Sequence, residues 1–364
     1  MTPERLQTVD FVVQGSRVIK EVVVTGAKAA PVASLDALGG MTVYVRRSSS
    51  YYDSLAALNE RNKSAGKPEV KLQIVPDALE DEDMMEMANA GLIDVLIVDD
   101  WKAKLWAQVL PKIVVHNDVF LRDDGHIGWA IRKASPGFEK AISEFYPVAK
   151  KSASYEYRLS QQMRRVKQIK DPTQSASWKQ FQEMLALFER YGGKYNFDPL
   201  MLAAQGYQES QLDQQAKSHV GAIGVMQLMP ATGAEMKVGD IHVTESNIHA
   251  GTKYMDVLMT KYFPDAHFSE GNRPLFAFAS YNAGPGNISR MRKEAVKRNL
   301  DPDKWFNNVE IVTAQKIGIE TTTYVRNIYK YYVTYKLTVE TLAARQKALD
   351  TLKPAAAETQ KKPE

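Results

Sequence analysis

Residues 198–210 read DPLMLAAQGYQES, and this stretch decides how the second half of the chain folds. Asp198 is a favourable N-cap residue and Pro199 suits the first helical position, so the pair predicts a helix that begins here. Glu209 then lies near the C-terminal end of that helix, where the helix dipole disfavours a carboxylate and raises its pKa. A carboxyl group that stays protonated near neutral pH can act as a general acid. The alternative interpretation is a solvent-exposed glutamate, which is the usual place of this residue type.

The sequence on either side of this stretch predicts a domain that is nearly all helical over residues 179–336. Apolar residues recur at helical spacing between positions 181 and 188, and Asp301-Pro302 repeats the helix-start pattern. The last helix of this region places tyrosines on one face, which is typical of a core-facing stripe rather than a base-stacking surface. The stripe consists of Tyr324, Ile328, Tyr331 or Tyr332, and Tyr335.

Two glycine-containing segments follow the first helix. Residues 218–230 read SHVGAIGVMQLMP, and their two central glycines suit a tight turn that brings the backbone close to a ligand. Gln227 offers both a donor and an acceptor to sugar groups, although the segment is equally compatible with a loop whose methionines fill the core. Residues 279–286 read ASYNAGPG, which predicts a helix end beside a cleft or an ordinary helix cap.

Together these segments resemble one known family, the family 1 lytic transglycosylases, whose domain is related in fold to goose-type lysozyme. The resemblance covers residues 179–336 and implies a mainly α, lysozyme-like fold acting on peptidoglycan glycan strands without a cofactor. It implies non-hydrolytic cleavage between N-acetylmuramic acid and N-acetylglucosamine, which leaves 1,6-anhydro ends. Four motifs appear in the family's order: Glu209-Ser210, Gly224-Val225-Met226-Gln227, Ser280-Tyr281-Asn282-Ala283-Gly284 and Glu320-Thr321-Thr322-Thr323-Tyr324-Val325.

The same resemblance assigns the site residues. Glu209 is implied as the catalytic acid that afterwards acts as base. Tyr281 and Tyr324 are implied as the tyrosines that orient the acid or stabilise developing charge, and Asn282 as the anchor of the helix end. Glu320 is implied as a carboxylate beneath the cleft. Asp213 is the obvious second carboxylate for a hydrolase, but we interpret it as a loop-capping residue. The implied substrate-binding residues are Ser210, Ser218, Met226, Gln227, Met229, Tyr281, Asn282, Glu320 and Tyr324.

Residues 1–147 show a different pattern, in which short β-branched runs alternate with helical stretches. This pattern predicts an α/β domain with a mostly parallel sheet. The strand-like runs lie at 22–24, 41–45, 72–75 and 94–98, and the helical stretches at 51–62, 79–90 and 136–146.

This first region resembles an amino-acid-type periplasmic solute-binding domain, on Thr2-Pro3-Glu4-Arg5, residues 35–40 and residues 90–94. The resemblance implies an incomplete periplasmic-binding-protein-like domain that lacks a signal peptide and part of its first lobe. It also implies a periplasmic location, association with the outer membrane, and a muropeptide or amino acid as ligand. The serines at 48–50 and Asp99 or Asp100 are the candidate ligand contacts, and N-cap serines with surface aspartates are the alternative.

Composition limits the remaining possibilities. The 364 residues contain 47 basic and 43 acidic side chains, a balance that argues against a dedicated nucleic-acid binder. The chain has no cysteine, which excludes a thiol nucleophile and a thiolate metal site; we expect no metal site. We predict a basic linker helix over 148–178 and a disordered tail over 337–364. A hydrolytic muramidase on the same fold and a muropeptide- or amino-acid-sensing protein remain as alternative functions.

Overall fold

The computed structural model describes residues 3–13, 18–26, 28–150 and 169–357. Its contacts divide the chain into two compact units, Met1–Asp171 and Pro172–Glu364. Within the described ranges, none of the helices combines the length and the apolar character needed to cross a membrane. Most of the predicted linker lies outside these ranges, because residues 151–168 are not described.

The first unit alternates strands and helices around a five-stranded sheet and a separate two-stranded sheet. A short 3₁₀ turn at Leu35–Leu38 precedes the third strand. The elements in chain order are α1 (Pro3–Thr8), β1 (Val9–Val13), β2 (Ile19–Thr25), β3 (Thr42–Arg46), α2 (Ser50–Ser64), β4 (Lys71–Val75), α3 (Asp81–Ala90), β5 (Val95–Asp99), α4 (Asp100–Trp106), β6 (Val114–Gly125), β7 (Gly128–Arg132) and α5 (Pro136–Lys150).

The larger sheet has the order β4-β3-β5-β2-β6 and is mixed, so the prediction of a mostly parallel sheet is wrong. Strand β3 runs parallel to β4 and β5, since helices α2 and α3 make the crossovers that parallel strands need. Strand β2 pairs antiparallel with both β5 and β6. No α-helix lies between β2 and β3 in the described chain, and β6 is a strand that the sequence analysis missed.

The second unit is mainly helical, as predicted. A π-type turn at Trp305–Val309 separates two of its helices. Its helices are α6 (Ser175–Tyr195), α7 (Pro199–Ser210), α8 (Pro230–Met236), α9 (Thr244–Tyr262), α10 (Arg273–Ala283), α11 (Pro285–Lys297), α12 (Glu310–Lys316) and α13 (Ile319–Ala357). An α/β unit followed by a mainly α unit is therefore confirmed.

Helix α13 packs against α7 and α10, and this contact builds the core around the candidate site. The aromatic stripe of α13 faces inward, with Ile328 and Tyr335 fully buried, so its interpretation as core is confirmed. Tyr335 stacks on Phe181 of α6 with ring centroids 4.4 Å apart. The helix continues to Ala357, beyond residue 337 where the sequence predicts a tail to begin.

Candidate active site

Helix α7 begins and ends as its sequence predicts, and its end places Glu209. The Asp198 side chain accepts a hydrogen bond of 2.8 Å from the backbone N–H of Leu200, which caps the first turn. Gln211 and Leu212 then adopt the left-handed conformation, with φ of 59° and 66°, and stop the helix. Glu209 consequently lies in the last turn of α7, with its side chain half-buried.

Tyr324 reaches Glu209 from helix α13. Its hydroxyl donates a hydrogen bond of 2.5 Å to Oε1 of Glu209. Tyr324 is itself 9% exposed, in the second turn of a helix that packs directly on α7. The packing of two helices far apart in sequence thus fixes the position of a single carboxyl group.

Burial raises the pKa of Glu209 to about 7, while the hydrogen bond from Tyr324 acts in the opposite direction. The direction predicted from the helix end is confirmed, but loss of hydration is the main cause. Near neutral pH a large fraction of Glu209 is therefore protonated, as a general acid requires.

Tyr281, at the end of α10, is the third member of this cluster. Its hydroxyl donates a hydrogen bond of 2.7 Å to the backbone carbonyl of Met226. Burial and the nearby charge of Glu209 hold the pKa of both Tyr281 and Tyr324 well above the usual value. Both hydroxyls therefore remain neutral hydrogen-bond donors across the physiological pH range.

The loop after α7 is fixed by its own hydrogen bonds, and several predicted substrate-binding side chains take part in them. The Ser210 hydroxyl is 3.0 Å from the carbonyl oxygen of Val225, and the Ser218 hydroxyl accepts a bond from the N–H of Ala222. The amide of Gln227 donates to the carbonyl of Gly224 at 2.9 Å. Each of these side chains therefore helps to hold the loop in shape through a hydrogen bond to its backbone. That the same side chains bind substrate stays a prediction.

Asn247 of α9 is a residue that the sequence analysis missed. It is fully buried, and its side chain accepts from the N–H of Met226 at 2.8 Å. Its amide nitrogen lies 2.9 Å from the carbonyl oxygens of both Ile223 and Ile241. Gly224 faces this amide with φ of +78°, and a Cβ there would overlap it. No local sequence pattern marks Asn247, because its partners Met226 and Ile223 lie 21 and 24 residues away.

The remaining predicted residues differ in their exposure. Met226 is fully buried in the core, whereas Met229 is exposed at the start of α8. Asn282 is exposed, and its side-chain oxygen accepts a bond of 2.8 Å from the Thr321 hydroxyl, which links the end of α10 to α13. This link agrees with a helix-anchoring role for Asn282.

The role of Glu320 as a carboxylate beneath the cleft stays a prediction. Glu320 is exposed in the first turn of α13, because Thr321 and Thr322 occupy the inward face of that turn. The buried carboxylate of this region is instead Glu310 at the start of α12, which forms an ion pair of 2.5 Å with Arg326.

Asp213 does not form a pair with Glu209. It is exposed, and its Oδ1 accepts a bond of 2.8 Å from the N–H of Gln215, which caps the loop as predicted. In the part of the chain that the structure describes, no three His, Asp or Glu side chains are grouped to hold a metal ion. The cluster of Glu209, Tyr281 and Tyr324 thus contains one carboxyl group and two neutral hydroxyls.

The first unit contains a polar pocket of about 380 Å³ that includes the candidate ligand contacts, Ser48–Ser50 and Asp99. The hydroxyl of Ser50 donates to Glu21 at 2.8 Å, and that of Ser48 to Asp77 at 2.6 Å. Asp81, almost fully buried in the pocket wall, pairs with Arg46 at 2.6 Å and Lys102 at 2.5 Å. The pocket's charges are therefore largely paired with one another.

This chain is similar to a known protein family, to named relatives in sequence, and to solved structures. Residues 186–304 match the family described as "Transglycosylase SLT domain". Two proteins named "Membrane-bound lytic murein transglycosylase F" are each 28% identical to the chain. The one from Desulfosudis oleivorans matches over 317 residues, 81% of this chain and 66% of that protein. The one from Ectopseudomonas mendocina matches over 353 residues, 91% of this chain and 69% of that protein. The chain thus spans about two thirds of the length of these relatives.

Among solved structures, an inactive mutant of the lytic transglycosylase Slt from Pseudomonas aeruginosa is 27% identical. It matches 43% of this chain and 24% of that chain, with a TM-score of 0.34. An ancestral arginine-binding protein bound to arginine is 20% identical and matches 45% of this chain and 67% of that chain, with a TM-score of 0.33.

Proposed function

We propose that this chain, whose residues 186–304 match the transglycosylase SLT family, is a peptidoglycan lytic transglycosylase. The observation that supports this most is the half-buried Glu209, with a pKa of about 7 and a hydrogen bond from Tyr324. The two relatives of whose length this chain spans about two thirds are both named lytic murein transglycosylases, and these names support murein as the substrate class. The bond cleaved is the β-1,4 bond between N-acetylmuramic acid and N-acetylglucosamine.

In the first step, protonated Glu209 donates its proton to the glycosidic oxygen, and the bond from that oxygen to C1 of the muramic acid breaks. Positive charge develops at C1 in an oxocarbenium-like transition state. The leaving N-acetylglucosamine keeps the proton as its new hydroxyl group. Glu209 is then an ionised carboxylate beside the reacting sugar.

In the second step, that carboxylate removes the proton of the muramic acid C6 hydroxyl, whose oxygen forms a bond to C1 of the same sugar. The ring closes to a 1,6-anhydro product, Glu209 is protonated again, and no water is consumed. The nucleophile belongs to the substrate, so proximity replaces a second catalytic carboxylate. The separate, solvent-exposed position of Asp213 is consistent with this one-carboxylate scheme.

The direct test is Glu209→Gln, which keeps the shape of the side chain and removes its acid. We expect the loss of general acid catalysis to lower the rate of sacculus solubilisation by roughly 10²–10⁴-fold. Turbidity of purified sacculi measures the rate, and circular dichroism checks the fold. A matched control is Glu189→Gln, which makes the same chemical change on the exposed face of α6. Activity of Glu209→Gln within a few-fold of the wild type contradicts the assignment.

We further propose that the pocket of the first unit binds a small ligand with charges of both signs, such as an amino acid or a muropeptide. Its lining includes Arg46 and Lys102 beside Glu21 and Asp81. Because these groups already pair with one another, a ligand must replace existing ion pairs, and we expect weak binding. Calorimetric titration with free amino acids and with muropeptides is the test, and no heat of binding with either class contradicts it.

We also propose that the protein acts in the periplasm, in association with the outer membrane. The proposed substrate lies outside the cytoplasmic membrane, and the names of the curated relatives describe them as membrane-bound. Cell fractionation followed by immunoblotting tests the location. Recovery of the protein in the cytoplasmic fraction alone contradicts it.

A further inference from the structure

Helix α9 packs against α10, and one face of α9 contacts both residues of the hydrogen bond from Tyr281 to Met226. Asn247, Gly251 and Tyr254 lie on this face, because helical residues at such intervals share one side. The Asn247 side chain accepts from the N–H of Met226 at 2.8 Å. A Cβ at Gly251 would lie only 2.7 Å from the Cβ of Met226, so the helix backbone approaches this residue closely. Two residues of α9 therefore hold the acceptor of the bond.

The third residue of this face, Tyr254, contacts the donor. Its ring and that of Tyr281 have centroids 5.4 Å apart and planes inclined by 66°, an edge-to-face arrangement that aromatic rings favour. The Tyr281 hydroxyl donates to the carbonyl of Met226 at 2.7 Å. A single helix thus contacts the ring of the donor and the residue of the acceptor, and the mechanism above assigns no role to Tyr254.

Tyr281 needs such a support because its own backbone leaves the orientation of its ring open. The torsion that turns a tyrosine ring about its Cβ–Cγ bond has a broad energy profile. Tyr281 also lies in the last turn of α10, where Gly284, with φ of +84°, ends the helix. The hydroxyl therefore meets the Met226 carbonyl only while neighbouring groups hold the ring, and the ring of Tyr254 packs against it.

We propose that Tyr254 is a positioning residue, whose ring orients Tyr281 so that the Tyr281 hydroxyl stays bonded to the Met226 carbonyl. This inference rests on the proposed role of Glu209 as the acid. The charge of ionised Glu209 acts on the Tyr281 hydroxyl, so the two groups are close. A displaced hydroxyl would therefore change the surroundings of Glu209 while that carboxyl group loses and regains its proton. We expect the ring of Tyr254 to affect kcat more than KM, and its hydroxyl to be dispensable.

A set of variants separates the ring from its hydroxyl and from general stability. Tyr254→Phe keeps the ring, whereas Tyr254→Leu removes it and keeps an apolar side chain. Tyr254→Met takes the place of the leucine variant if that one does not fold. The matched control is Tyr262→Leu, which removes the same kind of ring from the last residue of α9, where Tyr262 is 43% exposed. Circular dichroism checks the fold of each variant.

The first experiment follows the Tyr281 hydroxyl by NMR in the full-length protein, with tyrosine labelled with carbon-13 at Cζ. In an equal mixture of H2O and D2O, a hydroxyl that exchanges slowly gives two resolved Cζ signals, because hydrogen and deuterium shift the carbon signal differently. The Tyr281 signals are assigned by their absence in Tyr281→Phe. We expect slow exchange in the wild type, in Tyr254→Phe and in Tyr262→Leu. In Tyr254→Leu exchange should be about 2- to 10-fold faster, the factor that corresponds to one hydrogen bond.

The second experiment measures the cleavage of soluble glycan strands. We expect Tyr254→Leu to lower kcat by about 2- to 10-fold, the factor that one edge-to-face ring pair can supply, and to change KM little. Tyr254→Phe and the control should keep the wild-type kcat. In a Tyr281→Phe background, Tyr254→Leu should lower kcat no further, because the hydroxyl that the ring positions is gone.

Three results overturn the inference. They are a Tyr281 hydroxyl in Tyr254→Leu that exchanges at the wild-type rate, a single averaged Cζ signal in the wild type, and a loss of activity in Tyr254→Phe as large as in Tyr254→Leu. The last would mean that the hydroxyl of Tyr254 matters and not its ring. The NMR measurement requires no turnover, so a protein that holds its Tyr281 hydroxyl but cleaves no glycan contradicts the proposed function alone.

Discussion

Glu209, the proposed general acid, is a carboxyl group that the fold keeps half-buried. Burial raises the pKa of its carboxyl group from 4.5 to about 7, so the folded protein holds this proton more tightly than the unfolded chain. The stability from this tighter binding is complete below about pH 4.5. It decreases as pH rises toward 7, where the carboxyl group ionises inside the fold.

We therefore predict that Glu209→Gln is more stable than the wild type at alkaline pH. A pKa difference of this size corresponds to at most about 3 kcal/mol at pH 8, because partial solvent access reduces it. The difference in unfolding free energy should shrink as pH falls toward 4.5. Denaturant unfolding at pH 5 and pH 8 measures it. An equal stability difference at both pH values means that the buried charge is not its cause.

At the scale of elements, the loop between α7 and α8 holds the carbonyl of Met226 under the Tyr281 hydroxyl. The Asn247 side chain accepts a hydrogen bond from the N–H of Met226 and donates to the carbonyl oxygen of Ile223, and these two bonds hold the loop. A third bond joins Asn247 to the carbonyl oxygen of Ile241, after α8. The buried asparagine therefore acts on the site through the shape of the loop, and Gly224 leaves the space that it needs.

Gly224→Ala tests this arrangement against a control in the same loop. Both Gly224 and Gly221 have positive φ, but a Cβ at Gly221 meets nothing within 4 Å. We expect Gly221→Ala to cost about 1 kcal/mol of stability from backbone strain alone. Gly224→Ala should cost about 2–4 kcal/mol, because overpacking against the side-chain amides of Asn247 and Gln214 adds to the strain, and it should also slow sacculus cleavage. Denaturant unfolding and turbidity provide the two readouts; equal costs for both variants argue against a special role for Asn247.

Sequence patterns predicted local elements better than the contacts between them. Asp198-Pro199 located the start of α7, and helical periodicity located the inward face of α13, because both depend on neighbouring residues. The antiparallel placement of β2 and the burial of Asn247 depend on residues distant in sequence, and no local pattern encodes them.

At the scale of the whole molecule, the contacts separate an α/β unit from a helical unit at Asp171 and Pro172. The residues of the candidate active site all belong to the second unit. We predict that a fragment of residues 172–357 folds alone and cleaves sacculi at a rate within a few-fold of the full chain. Thermal unfolding by circular dichroism and sacculus turbidity measure both properties. A fragment without a cooperative transition shows that the helical unit depends on the rest of the chain.

In the proposed mechanism, one carboxyl group cleaves the glycan strand without water. The most direct measurement is digestion of sacculi in water enriched in oxygen-18, followed by mass spectrometry of the released muropeptides. We expect 1,6-anhydro muramic acid ends, lighter than reducing ends by one water and free of the heavy isotope. Predominantly reducing ends that contain oxygen-18 would contradict it and identify a hydrolase, with Asp213 as the next residue to replace.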